Sequence, residues 1–251
     1  MVRAGRMKRP EKMLQHDDGG VSMAEVIQIK ENTWRFEDDG VRFFLLCGND
    51  KAALVDTGMN TPDAREMAEQ LTDLPLILIN THADRDHISG NAGFEEFYMS
   101  PLEEDNYRQN GGTGTILPVK EDDVIDLGDR PLRIIDNPGH TPGSIAILDE
   151  KYRVLIAGDS LQDDKIFMFG SYRNMDTYID SLKKLSKYDG TYDEIYAMHG
   201  TIPLKPDIVG KLIDGATRIV NGAATGTKVS LFGNEVLMYK FPYAGFLCED
   251  K

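Results

Sequence analysis

Between His82 and His87 the chain places two imidazoles and two carboxylates, His82, Asp84, Asp86 and His87, within six residues. Side chains of these types have one task in common. They hold a divalent cation, which neutralises carboxylates turned away from water. The chain has five histidines, and His16 stands in a polar N-terminal stretch where it reads as inert. The other four each lie just past an apolar run of strand length. Leu76–Ile79 leads to His82 and His87, Leu132–Ile135 to His140, and Glu194–Ala197 to His199. Val154–Ala157 leads in the same way to Gly158–Asp159. Strands that end on one sheet edge bring such distant residues together. Surface histidines would have to meet this condition four separate times. Gly139–His140–Thr141–Pro142–Gly143–Ser144 reads as a tight turn between strands, since Gly admits unusual dihedrals and Pro fixes one.

The elements that must position these residues follow from periodicity. Val26–Lys30, Thr33–Glu37, Val41–Cys47 and Ala52–Asp56 read as an antiparallel meander, with Asp38–Asp39–Gly40 as a hairpin turn. Thr61 is expected to cap a helix that starts at Pro62 and runs to about Leu71. Leu74–Asn80 reads as a buried strand and Pro101–Gln109 as a short helix. Val124–Leu127, Leu132–Asp136, Ser144–Leu148, Arg153–Ala157 and Asp193–Ala197 complete the strands before the tail. Helices are expected from Asp176 to about Leu185 and from Pro206 to about Val220, and one or two closing strands from Lys228 to Lys240. Interspersed strand meanders and helices favour two mixed β-sheets flanked by helices, an α/β four-layer arrangement. The organisation expected is a flexible tail over residues 1–22 and one domain over 23–251.

With 251 residues the chain can bury a large core without staples. Twenty-eight Lys+Arg against 42 Asp+Glu leave a net charge of −14. That surface repels nucleic acid and anionic membranes and suits a small-molecule substrate. No apolar run has the length of a membrane span. The basic residues near the N-terminus precede no apolar stretch, so no secretory signal is read there. Cys47 and Cys248 make no disulfide framework, and the expected location is cytoplasmic.

Taken in order, Asp56–Thr57–Gly58, His82-x-Asp84-x-Asp86–His87, Gly139–His140–Thr141–Pro142–Gly143, Gly158–Asp159 and His199–Gly200 resemble the metallo-β-lactamase superfamily. The resemblance spans roughly residues 26–221. It implies an αβ/βα sandwich with two metal ions. One would be held by His82, Asp84 and His140, the other by Asp86, His87 and His199, with Asp159 bridging. It also places Asp56 beside the ligand loop as a group that orients a ligating imidazole, whereas turn preference alone reads it as a turn residue. The chain departs from the usual His-x-His-x-Asp-His pattern at Asp84. Flavodiiron proteins are similar in carrying a carboxylate there. A carboxylate is a harder ligand than imidazole, so the two divalent ions are expected to be zinc, manganese or iron, with a bias toward the last two.

The implied activity is metal-dependent hydrolysis of a small ester, thioester or lactone. Two adjacent cations bring the pKa of a shared water down toward about 7. Asp86 is the candidate catalytic carboxylate, to orient the nucleophile or carry a proton. Tyr172 and Arg173 are candidates for substrate binding, Arg173 to read an anionic group. The alternative is a dinuclear iron oxidoreductase related to flavodiiron proteins but without a fused flavin domain.

Overall fold

The computed structural model describes residues 24–250, which fall into two compact units. The tail expected over residues 1–22, with His16, lies outside the described residues. The first unit runs to Met99 and adds residues 104–118 and 126–131; the second comprises 100–103, 119–125 and 132 onward.

In the first unit, β1 (Glu25–Lys30), β2 (Thr33–Asp38), β3 (Val41–Cys47), β4 (Ala52–Val55), β5 (Leu76–Ile79), β6 (Glu96–Met99) and β7 (Thr115–Pro118) form one seven-stranded sheet in chain order. The first four strands are the expected meander. Asp39 and Gly40, at φ 52° and 93°, supply the positive dihedrals of its hairpin turn. From β4 onward the pairing is parallel. β3 is buried at every position, which explains its apolar run Phe43–Cys47, and its one charged residue, Arg42, is paired with Glu37. Phe36 and Phe43 stack across the hairpin with ring centroids 4.4 Å apart. Because β4 and β5 run parallel, Asp56 and the loop that begins at Asn80 leave the sheet at the same edge.

Two helices complete this unit, α1 (Ala64–Glu69) and α2 (Glu104–Gln109). Thr61 does not cap α1. Its hydroxyl donates to Asp38 Oδ2 at 2.8 Å, and the helix begins after Asp63, two residues later than expected. A buried carboxylate on the neighbouring hairpin is the stronger acceptor for that hydroxyl.

The second unit carries two sheets, apart from Asp126 and Pro131 at its margin. β8 (Val124–Asp126), β9 (Pro131–Asp136), β10 (Ile145–Asp149), β11 (Val154–Ile156) and β13 (Glu194–Tyr196) form the first, in the order β13-β11-β10-β9-β8. β12 (Lys165–Met168), β14 (Thr227–Leu231), β15 (Asn234–Phe241) and β16 (Ala244–Glu249) form the second, in the order β12-β16-β15-β14. The C-terminal segment thus makes three strands where one or two were expected. The third, β16, pairs in parallel with β12. That pairing draws Phe167 and Met168 into a strand. α3 (Met175–Leu185) and α4 (Ile208–Val220) pack into this unit's core through Tyr178, Ile179, Leu182 and Leu185 and through Ile208, Val209, Leu212 and Ala216. Among the described residues no helix is long and apolar enough to cross a membrane.

Candidate metal centre

Five of the predicted residues fall in the first unit. Asp56 ends β4 at φ 62°, a turn conformation that Asp tolerates better than most residues. The turn buries its carboxylate completely, and four groups converge on it. The Thr81 backbone N–H donates to Oδ1 at 2.7 Å and the Thr81 hydroxyl to Oδ2 at 2.7 Å. Asn80 Nδ2 reaches Oδ1 at 3.4 Å, and His87 Nδ1 donates to Oδ2 at 2.9 Å. Because the Thr81 hydroxyl gives its proton to Asp56, its oxygen is left to accept from His82 Nδ1 at 3.0 Å. Asp56 therefore orients His87 directly and His82 through Thr81. Both rings carry the proton on Nδ1 and offer Nε2 as a donor atom.

Those two nitrogens approach the loop's own carboxylates. His82 Nε2 lies 3.7 Å from Asp84 Oδ2, and His87 Nε2 lies 3.6 Å from Asp86 Oδ2. The two rings are 4.1 Å apart centre to centre. Asp56, His82 and His87 also form a compact trio of potential ligands. Since both Asp56 oxygens already accept hydrogen bonds, Asp56 serves better as the orienting group than as a ligand.

In the second unit, His140 is buried and its Nδ1 donates to the Phe167 carbonyl at 3.0 Å, which again leaves Nε2 as the donor atom. Asp159 sits in a 3-10 turn, Gly158–Ser160, directly after β11. Its Oδ2 is 3.7 Å from His140 Nε2 and 3.4 Å from His199 Nε2. Helix α3 holds two of these turns. Ser181 donates to the Pro138 carbonyl at 2.7 Å and Tyr178 to the Ser160 carbonyl at 2.8 Å. Just before the helix, the Asn174 N–H donates to the Gly139 carbonyl at 2.8 Å. Gly139 is required there: at φ 131°, a Cβ would stand 2.3 Å from the Tyr178 Cα.

The His82–Asp84, His87–Asp86 and His140–Asp159 distances, 3.6 to 3.7 Å, are too long for hydrogen bonds between those atoms, and His199–Asp159 at 3.4 Å stands at the limit. They suit two ligands of one ion, which at metal bonds of about 2.1 Å and tetrahedral angles stand about 3.4 Å apart. The donor set fits a divalent cation.

A family model for the metallo-beta-lactamase superfamily matches residues 37–199. The chain belongs to that superfamily. It is a metal-dependent hydrolase with an α/β fold of mixed sheets flanked by helices. Among its relatives, the chicken acyl-coenzyme A thioesterase MBLAC2 is 28% identical over 191 residues, covering 60% of this chain and 69% of that protein. A hydroxyacylglutathione hydrolase from Maricaulis maris is 28% identical over 147 residues, covering 56% of each. The metallo-beta-lactamase from Pontibacter korlensis superposes with a TM-score of 0.68 at 15% identity, covering 77% of this chain and 99% of that one.

Around this superfamily site lie groups that sequence reasoning missed. Asn91 Nδ2 donates to Asn80 Oδ1 at 2.8 Å, and Asn80 Nδ2 donates to the His87 carbonyl at 3.2 Å, so two buried amides brace the ligand loop. Asn106 donates to Asp84 Oδ1 at 3.0 Å. No sequence pattern marks such amides, which are commoner on surfaces. Of the two substrate-binding candidates, Arg173 comes near a predicted ligand, with Nη2 3.4 Å from His140 Nε2. Tyr172 is half-buried in the turn before α3, and no hydrogen bond ties it to that imidazole. In the first unit a cleft of about 560 Å³ opens beside the ligand loop, with Met59, Asn60, Arg85 and Ile88 in its wall. Among the described residues its lining includes one guanidinium, Arg85, and no carboxylate.

Proposed function

We propose that the protein hydrolyses acyl thioesters with two divalent ions, one served by His82, Asp84 and His140 and the other by Asp86, His87 and His199, with Asp159 shared. The observation that carries this reading is the four imidazole–carboxylate spacings of 3.4 to 3.7 Å, each involving a candidate ligand pair. Two divalent ions bound there would supply an acidified water and polarise the substrate carbonyl.

The chain's own residues do the rest. Asp56, Thr81 and the Phe167 carbonyl hold three imidazoles in the tautomer that presents Nε2. Asp86, partly exposed, would orient the attacking water. A carboxylate engaged as a ligand is a weak proton donor, and this favours a leaving group that departs unprotonated. A thiolate, with a thiol pKa of about 8.5, does so near neutral pH; an alkoxide does not. Water adds to the thioester carbonyl, the C–S bond breaks, and the products are a carboxylic acid and a free thiol. Arg85 in its carboxylate-free cleft suits an anionic thiol arm, and Arg173 beside His140 suits an anionic group on the acyl side. The names of the thioesterase and hydroxyacylglutathione hydrolase relatives support the same class.

The test is turnover of an acyl-coenzyme A, a hydroxyacyl-glutathione, a lactone and a phosphodiester, read as thiol release for the two thioesters and as acid or alcohol release for the other two, with protein stripped by chelator and reloaded. Metal-dependent thiol release from a thioester is the expected result. Turnover of lactone or phosphodiester with no thiol release would overturn the reading.

A further inference from the structure

Asp84 is the position where this chain departs from the usual superfamily pattern, and carboxamides surround it. Asn106, 5% exposed on α2, donates from Nδ2 to Asp84 Oδ1 at 3.0 Å. Asn110, the residue that follows α2, donates its backbone N–H to the Asn106 carbonyl and its Nδ2 to Asn106 Oδ1, each at 3.0 Å. The same Nδ2 donates to the Ala83 carbonyl, also at 3.0 Å. With Oδ1 of Asn106 accepting from Asn110, the amide nitrogen of Asn106 is the end that faces Asp84. The other carboxylate oxygen, Oδ2, is the one that approaches His82 Nε2 at 3.7 Å.

We propose that Asn106, held by Asn110, is a positioning residue that restricts Asp84 to one-oxygen coordination and thereby sets the metal preference. The inference rests on the reading of Asp84 as a ligand. A carboxylate can bind an ion through one oxygen or two. Zinc favours few ligands in a compact shell, whereas ions that favour six oxygen-rich positions gain from the second oxygen. The bond from Asn106 fixes the rotation of the Asp84 carboxylate and competes with an ion for Oδ1. It accounts for how a carboxylate can replace the usual imidazole without opening the site to bidentate binding.

The experiment is competitive binding of zinc and manganese to the metal-free protein, with the visible spectrum of the cobalt(II) form as a readout of coordination number. It compares wild type, Asn106→Leu, Asn110→Ala and Asp84→Ala, with circular dichroism to check the fold. Loss of an outer hydrogen-bond partner typically costs about 10–100-fold in metal affinity, so Asn106→Leu should weaken zinc by that order. Manganese should weaken less, moving the zinc-to-manganese ratio toward manganese, and the cobalt bands should lose intensity as coordination number rises. Asn110→Ala should shift the ratio in the same direction by less; if Asn106→Leu fails to fold, this variant decides. An unchanged ratio and cobalt spectrum in the folded Asn variants, with affinity lost in Asp84→Ala, would overturn the proposal and leave the ligand reading standing. Unchanged affinity in Asp84→Ala would overturn both.

Discussion

The two units present their metal donors in opposite ways. In the first, four donors crowd into six residues of one loop, and buried side chains orient them. Asp56 collects four hydrogen bonds, and the Asn80–Asn91 amide pair braces the loop behind it. In the second, three donors sit on three separate turns. Backbone carbonyls and one helix orient them: Phe167 fixes the His140 ring, while Ser181 and Tyr178 of α3 tie down the turns that carry His140 and Asp159. A loop has no repeating backbone ladder to aim its side chains, so it needs dedicated polar partners. A donor at the end of a strand inherits its direction from the sheet and needs only its turn to be held.

That contrast yields predictions in order of size. Removing the hub of the first unit should have the largest effect. Asp56→Ala leaves the Thr81 N–H, the Thr81 hydroxyl and His87 Nδ1 without their buried acceptor. With unmet buried donors costing about 1–3 kcal/mol each and adding imperfectly, the loss in unfolding free energy should be about 4 kcal/mol. Denaturant titration measures it, and metal affinity should fall with it. Gly139→Ala is next. It forces a Cβ against the α3 backbone at a positive φ, at an expected cost of about 3 kcal/mol. Tyr178→Phe removes one fully buried hydrogen bond, from Tyr178 to the Ser160 carbonyl, and should lower stability by about 1 kcal/mol. Burial pushes the Tyr178 hydroxyl well above the ordinary tyrosine range, so it remains a donor through pH 10, and the difference between wild type and variant should stay flat with pH up to there. The smallest effect belongs to Asp163, half-buried, which accepts the Thr201 N–H at 2.7 Å beside His199. Asp163→Ala should cost about 0.5 kcal/mol while loosening metal binding severalfold. If Asp163→Ala proved as damaging as Asp56→Ala, the contrast between the two modes of support would fail.

The candidate donors stood out in the sequence because each lies past the end of an apolar run, and a strand end is a place that periodicity can find. The strands β1 to β5 and β8 to β11 were legible for the same reason. What escaped was set by contacts between distant segments. β12 and β16 owe their pairing to residues about 80 positions apart, and neither run alternates clearly by itself. Thr61 looked like a helix cap because the local pattern fits one, yet Asp38 on a neighbouring hairpin holds its hydroxyl. Asn80, Asn91, Asn106 and Asn110 carry no periodic signal, and their roles exist only once the loop is folded. Arg130 is of this kind too. It is almost fully buried and donates to the Asn32 and Cys47 carbonyls and to Thr33, a structural task no motif announces.

The proposed function has both sets of candidate donors serve one pair of ions. The most direct test is metal content by mass spectrometry, with protein stripped and reloaded, in wild type, His87→Ala and Asp159→Ala. The account predicts about two ions per chain in wild type, and fewer in each variant, with the deepest loss in Asp159→Ala because that residue is assigned to both ions. One ion or none in wild type, or content unchanged by Asp159→Ala, would contradict it.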